Sequence, residues 1–124
     1  MAKIVISEDE PDIQELIAFS LRLAGHEVIA ASNGQEALDL TQKEHPDLVL
    51  LDVRMPCLTG YDVCHKIKAD PKISHIPVVF LSAKGQKFEI EQGLAAGADE
   101  YLLKPFTPKE LCTRVKSILA NYEK

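Results

Sequence analysis

Leu48-Val49-Leu50-Leu51-Asp52 is a run of four aliphatic residues that ends on a carboxylate. A short unbroken apolar run reads as a strand buried on both faces, and the acid after it then sits at the strand's mouth. Three other strand-like runs end in a similar way. Ile4-Val5-Ile6-Ser7 leads into Glu8 and Asp9, Val78-Val79-Phe80-Leu81 into Ser82, and Tyr101-Leu102-Leu103 into Lys104. If these runs are neighbouring parallel strands, their carboxyl ends converge at the edge where open α/β sheets bind ligands. Three carboxylates, a hydroxyl and an ammonium would then share one cleft, a set suited to a phosphoryl group and a divalent cation.

Strand-like runs lie near 3–7, 27–31, 47–51, 76–81 and 99–103, separated by longer amphipathic stretches. That alternation predicts βαβ units on a parallel sheet. Pro11 suits a first helical turn, and Ile13, Leu16, Ile17 and Leu21 recur at helical spacing as a buried stripe until Gly25. Asn33 is a candidate N-cap for a helix over 35–43, and Thr59 for a third that ends before Asp70-Pro71. A fourth helix is expected over 86–96, stopped by Gly97. Thr107-Pro108-Lys109-Glu110 is a capping box opening a fifth, which buries Leu111, Val115, Ile118 and Leu119. Right-handed crossovers leave few topologies for five such units. The flavodoxin-like, doubly wound order 2-1-3-4-5 is expected, because it puts strands 1, 3 and 4 in the middle, the strands whose ends carry Glu8/Asp9, Asp52 and Ser82.

The 124 residues are read as one domain over 1–124, with 46% hydrophobic and 27% charged residues, as expected of a globular chain. Fourteen basic against nineteen acidic residues give a net charge of −5, which argues against direct nucleic-acid binding. No apolar run reaches membrane-spanning length and no signal-peptide core follows Met1, so no membrane contact is expected. Cys57, Cys64 and Cys112 show no metal-binding spacing and are read as reduced thiols of a cytoplasmic protein. The scattered His26, His45, His65 and His75 are read as surface or loop residues.

Each candidate residue alone has a plain structural explanation. Acids after a strand suit a helix N-terminus, a serine there is a turn residue, and a lysine at a strand end is a surface charge. Together they fit one chemistry. A third negative charge beside Glu8 and Asp9 destabilises the fold unless a cation neutralises it, and Mg2+ is commonly held by one or two carboxylates with water and phosphate oxygens. The ion would also quench the charge of an incoming phosphoryl group and let a carboxylate oxygen attack in line. Lys104 could pair with a phosphorylated Asp52, Ser82 could donate to a phosphoryl oxygen, and Pro105 offers a turn that aims the lysine inward.

Several motifs together give the chain its resemblance: Glu8-Asp9-Glu10-Pro11, Leu50-Leu51-Asp52-Val53-Arg54-Met55-Pro56, Gly60, Leu81-Ser82-Ala83, and the run from Gly97 to Phe106 through Lys104-Pro105. On these the chain resembles the receiver domain of two-component response regulators, over essentially its whole length. The resemblance implies that Asp52 accepts a phosphoryl group from the phosphohistidine of a sensor histidine kinase or phosphotransfer protein. It implies Mg2+ bound by Asp9, Asp52 and the backbone carbonyl of Arg54, with Glu8 acting through water. Lys104 would contact the phosphoryl group, Ser82 would move toward it, and Tyr101 would be the switch aromatic. Arg54 and Lys84 fall where the family tunes phosphate lifetime. Glu8 stands where many members have Asp, and Ser82 where many have Thr.

The implied output is a shift of the helix 4–strand 5–helix 5 face, read by a downstream effector protein or by an output domain not in this chain. Lys87, Asp99, Glu110 and Arg114 resemble charges by which related receivers pair, so a phosphorylation-dependent homodimer is an expectation. The chain is read as a phosphoacceptor signalling domain and not as an enzyme, with slow self-dephosphorylation. An aspartate-nucleophile phosphatase would want an acid two residues past Asp52, where Arg54 stands. A flavin carrier would want a Ser/Thr/Gly-rich phosphate loop after strand 1, where Glu8-Asp9-Glu10 stands.

Overall fold

The computed structural model describes residues 2–53, 58–83, 87–104 and 106–122, with the backbone alone at 83 and 88–90. Strands and helices alternate as β1 (Lys3–Ser7), α1 (Pro11–Leu23), β2 (Glu27–Ala31), α2 (Gly34–Glu44), β3 (Leu48–Asp52), α3 (Gly60–Ala69), β4 (Val78–Ala83), α4 (Lys87–Ala95), β5 (Glu100–Lys104) and α5 (Pro108–Tyr122). All four strand pairings are parallel and the order is β2-β1-β3-β4-β5, as expected.

The two-residue period of the strands divides the core into two layers. Val5, Val49, Leu51, Val78 and Phe80 face α2 and α3 and pack with Ala37, Leu38, Val63, Cys64 and Ile67. Ile4, Ile6, Leu48, Leu50, Val79, Leu81 and Leu102 face α1 and α5 and pack with Ile17, Leu21, Leu111, Val115 and Ile118. Each large aliphatic side chain so buried stabilises the fold by roughly 1.5–3 kcal/mol.

Local chemistry sets most boundaries. The Asn33 side chain accepts the Glu36 N–H at 2.9 Å, Thr59 and Asp62 form a reciprocal capping box, and so do Thr107 and Glu110. Gly25 and Gly97 take φ values of +97° and +103° past the ends of α1 and α4.

Four expectations shift. The strands reach farther toward the cleft: β3 takes in Asp52, β4 takes in Ser82, and β5 takes in Lys104, because pairing continues through Asp52↔Leu81, Ser82↔Leu103 and Ala83↔Lys104. β4 begins two residues late, after Pro77, which has no N–H to donate. On α1 the buried face is Ile17, Ala18, Ser20 and Leu21, so Leu16 lies on the solvent side, and on α5 Leu119 is only partly buried. His26 is not a plain surface residue, since its Nδ1 accepts the Ala2 N–H at 3.1 Å. No described helix is long and apolar enough to cross a membrane.

Candidate functional site

The sheet's register builds the cleft. Ser7 pairs with Leu51, so Glu8 and Asp52 come one residue later on neighbouring strands, and Ser82 lies one residue past Asp52's partner Leu81. Lys104 ends β5, two residues past Leu102, the partner of Leu81. Glu8, Asp9 and Asp52 each offer a carboxylate oxygen, all within 4.8 Å of one another. Glu8 and Asp52 are buried, at 1% and 7% exposure, and Asp9 is exposed.

Like charges this close repel strongly, by about 4 kcal/mol for a pair 4 Å apart at an effective dielectric of about 20. Lys104 offsets part of that repulsion. Its Nζ lies 2.7 Å from Glu8 Oε1 and 3.7 Å from Asp52 Oδ1. Burial works against the ammonium, but the Glu8 carboxylate close against it and the charges of Asp52 and Glu10 outweigh it, and the Lys104 pKa is raised. Glu8 Oε2 accepts the Glu10 N–H at 3.3 Å. The Ser82 Oγ is buried and has no hydrogen-bond partner among the described residues. An unsatisfied buried hydroxyl on a cleft wall is a donor awaiting an acceptor.

Gln14 is a contributor that sequence reasoning missed. From α1 its Nε2 donates to the carbonyls of both Glu8 and Ala31 at 3.0 Å, tying the end of β1 to the end of β2 beneath the acidic group. A glutamine on a half-exposed helix gives no signal of this in sequence.

Tyr101 lies on β5, opposite Phe80 and one register step short of the Leu81↔Leu102 pair, half-buried against the layer below α3. Of the charges expected on the pairing face, Lys87 is exposed at the start of α4. Glu110 closes the α5 capping box, while Arg114 pairs with Glu100 at 3.1 Å and donates to the Tyr101 carbonyl at 3.2 Å. Asp99 is turned inward, to Lys68 at 2.8 Å and to the Val78 N–H at 2.8 Å. Arg54, Lys84 and Pro105 lie outside the described residues, as does Cys57.

The response regulator receiver domain model matches residues 4–116. The chain belongs to this family. It is 45% identical over 122 residues to the probable transcriptional regulator ycf27 of Porphyra purpurea, covering 98% of this chain and 49% of that protein. It is 41% identical over 121 residues to the alkaline phosphatase synthesis transcriptional regulatory protein PhoP of Bacillus subtilis, covering 98% and 50%. The chain thus spans about half the length of these curated relatives. Among solved structures, a response regulator from Chloroflexus aurantiacus superposes with a TM-score of 0.92 at 39% identity, covering 96% of this chain and 98% of that one. The chemotaxis response regulator CheY4 of Vibrio cholerae does so with 0.89 at 30% identity, covering 95% and 98%. The receiver's phosphoacceptor signalling role accounts for an acidic cleft at this sheet edge, and the phosphatase and flavin-carrier alternatives find no support.

Proposed function

We propose that Asp52 is the phosphoacceptor of a Mg2+-dependent receiver switch. The observation that carries the reading is the meeting of Glu8, Asp9 and Asp52 within 4.8 Å, with Lys104 and the Ser82 hydroxyl, unpartnered among the described residues, around them. The donor set fits the ion, since Mg2+ takes hard carboxylate oxygens, and Asp9 lies exposed beside the buried Glu8 and Asp52 where water can complete the coordination. Asp9 and Asp52 would hold it directly, with the Arg54 carbonyl, and Glu8 through water. An ion held there would supply positive charge against the phosphoryl oxygens during transfer.

The chain's own groups do the rest. An Asp52 oxygen attacks the phosphorus in line as the P–N bond to the donor's histidine breaks and the imidazole leaves, Lys104 binds an equatorial oxygen of the new acyl phosphate, and Ser82 donates its hydroxyl to another. Ser82 moving to that bond opens space that Tyr101 turns into, which reshapes the α4–β5–α5 face. Changing such a switch from mostly off to mostly on requires differential stabilisation of about 3–5 kcal/mol, within reach of several charge-assisted contacts. Arg54 and Lys84, two residues past Asp52 and Ser82 in sequence, would set the lifetime of the phosphoryl group, with slow self-dephosphorylation as the off step.

We place the chain as one domain, 1–124, of a cytoplasmic signalling protein. A histidine kinase or phosphotransfer protein would donate the phosphoryl group. Because the relatives of twice this length are transcriptional regulators, an output domain or effector would read the switched face. Pairing in a phosphorylated homodimer would use that face, where Tyr101, Phe106, Glu110 and Arg114 line a groove of about 440 Å3 between β5 and α5. Incubation with acetyl phosphate and Mg2+, followed by intact mass, tests the reading. One phosphoryl adduct is expected on the native chain and none on Asp52→Asn or with a chelator present. An adduct on Asp52→Asn would displace the assignment.

A further inference from the structure

Lys104 is the residue expected to meet the phosphoryl group on Asp52, yet it does not hydrogen-bond Asp52. Its Nζ sits 2.7 Å from Glu8 Oε1, while the 3.7 Å to Asp52 Oδ1 is beyond hydrogen-bond length. The strand order makes this choice notable. Glu8 follows β1 and Lys104 ends β5, with β3 and β4 between them, a span of about 14 Å at ordinary strand spacing. Only two long side chains leaning toward each other can close that gap, and the lysine reaches past the strand carrying Asp52 to do so. The Glu8 side chain is fully buried; its Oε1 has the Lys104 ammonium beside it as an ion pair but no hydrogen-bond partner among the described residues, and its Oε2 accepts the Glu10 N–H.

Resting on the phosphoacceptor reading above, we infer that Glu8 is a positioning residue that holds Lys104 off Asp52 until Mg2+ and the phosphoryl group arrive. Metal uptake and release of the lysine are then a single exchange. Two cations sharing one buried carboxylate repel, so Mg2+ drawing on Glu8 weakens the hold on Lys104. The ammonium, on a flexible four-carbon stem, then moves to the new negative charge on Asp52. Before transfer, Lys104 is the counter-charge that keeps three close acids compatible with a folded cleft. The device depends on the length of the glutamate. An aspartate at position 8 keeps the charge but lacks the methylene that reaches Lys104.

Calorimetric Mg2+ titration of four chains tests the exchange: native, Glu8→Asp, Lys104→Met and the double variant. Lys104→Met is expected to tighten Mg2+ binding by about tenfold, Glu8→Asp by a similar factor, and the double variant by little more than either, because both remove one interaction. If Lys104→Met tightened binding equally in the native and the Glu8→Asp backgrounds, the effect would reduce to general charge repulsion and the latch would be overturned. An unchanged affinity in Glu8→Asp would overturn it too. No Mg2+ binding by the native chain would remove the metal-site reading itself, and the latch with it. In the unmodified protein, the Lys104 Cε resonance, assigned by its loss in Lys104→Met, is expected to shift in step with metal occupancy. A stationary resonance at saturating Mg2+ would overturn the inference without recourse to any variant's stability.

Discussion

Lys68 and Asp99 pair at 2.8 Å at the amino edge of the sheet, the end away from the acidic cleft. The lysine also donates to the carbonyls of Ser74 and Ile76, at 3.2 and 2.8 Å, and the carboxylate accepts from the Val78 N–H and the Tyr122 hydroxyl. One ion pair thus fastens α3, the loop into β4, the start of β5 and the end of α5. Asp99→Ala leaves the ammonium and the Val78 N–H without that partner, and is expected to lower the unfolding free energy by about 2 kcal/mol in urea denaturation. Tyr122→Phe should cost under about 1 kcal/mol, its bond being long and exposed.

Phe80 is wedged between two glycines. A Cβ on Gly93 of α4 would fall 2.7 Å from Phe80 Cδ2, and one on Gly60 of α3 would fall 2.8 Å from Phe80 Cε1 and collide with the Asp52 carbonyl. The ring can yield to the first, whereas the second forces backbone itself to shift, at greater cost. Gly93→Ala should destabilise by about 1–2 kcal/mol, and Gly60→Ala by more, with phosphorylation slowed because the Asp52 backbone must move. Thermal melts and acetyl phosphate labelling rates check both.

Ser82→Ala separates stability from switching. The hydroxyl is buried without a partner among the described residues, so its removal should leave stability unchanged or raise it by up to about 1 kcal/mol. The variant should still take up the phosphoryl group on Asp52 but lose most of the response at Tyr101, followed by NMR of its ring with and without a beryllofluoride phosphate mimic.

His26 sets an acid limit. Burial, then the positive amino terminus, lowers its pKa below 6.5, and its neutral Nδ1 accepts the Ala2 N–H. The folded state therefore binds fewer protons at this site than the unfolded chain does. Its stabilising effect is present above the unfolded value of 6.5 and is lost as pH falls through the folded pKa. His26→Gln should show a smaller drop in melting temperature between neutral pH and pH about 5 than the native chain. Equal drops in both would contradict this.

The sheet order and the acidic edge were legible because β3 and β4 are apolar on both faces, a pattern that only central strands of a parallel sheet need. Asp52 stood out as a carboxylate where apolar residues should continue. Helix starts were legible wherever a side chain caps its own helix, as Asn33, Thr59 and Thr107 do. What depends on tertiary reach was not. The turn of Lys104 toward Glu8, the clamp by Gln14 and the inward pairing of Asp99 with Lys68 join residues on elements distant in sequence, and no local pattern marks which partner each will find. Leu16 shows the same limit within one helix, since an apolar residue at the margin of a buried stripe gives no sign of whether packing covers it.

Borohydride trapping tests the central claim most directly. Borohydride reduces an aspartyl phosphate to homoserine, so the chain phosphorylated with acetyl phosphate and Mg2+, then reduced and digested, records the site in its peptide masses. Homoserine at position 52, absent when Mg2+ is chelated, is the predicted result. Homoserine at Asp9 or elsewhere, or an unmodified position 52 in a chain that carries the phosphoryl adduct, would contradict it.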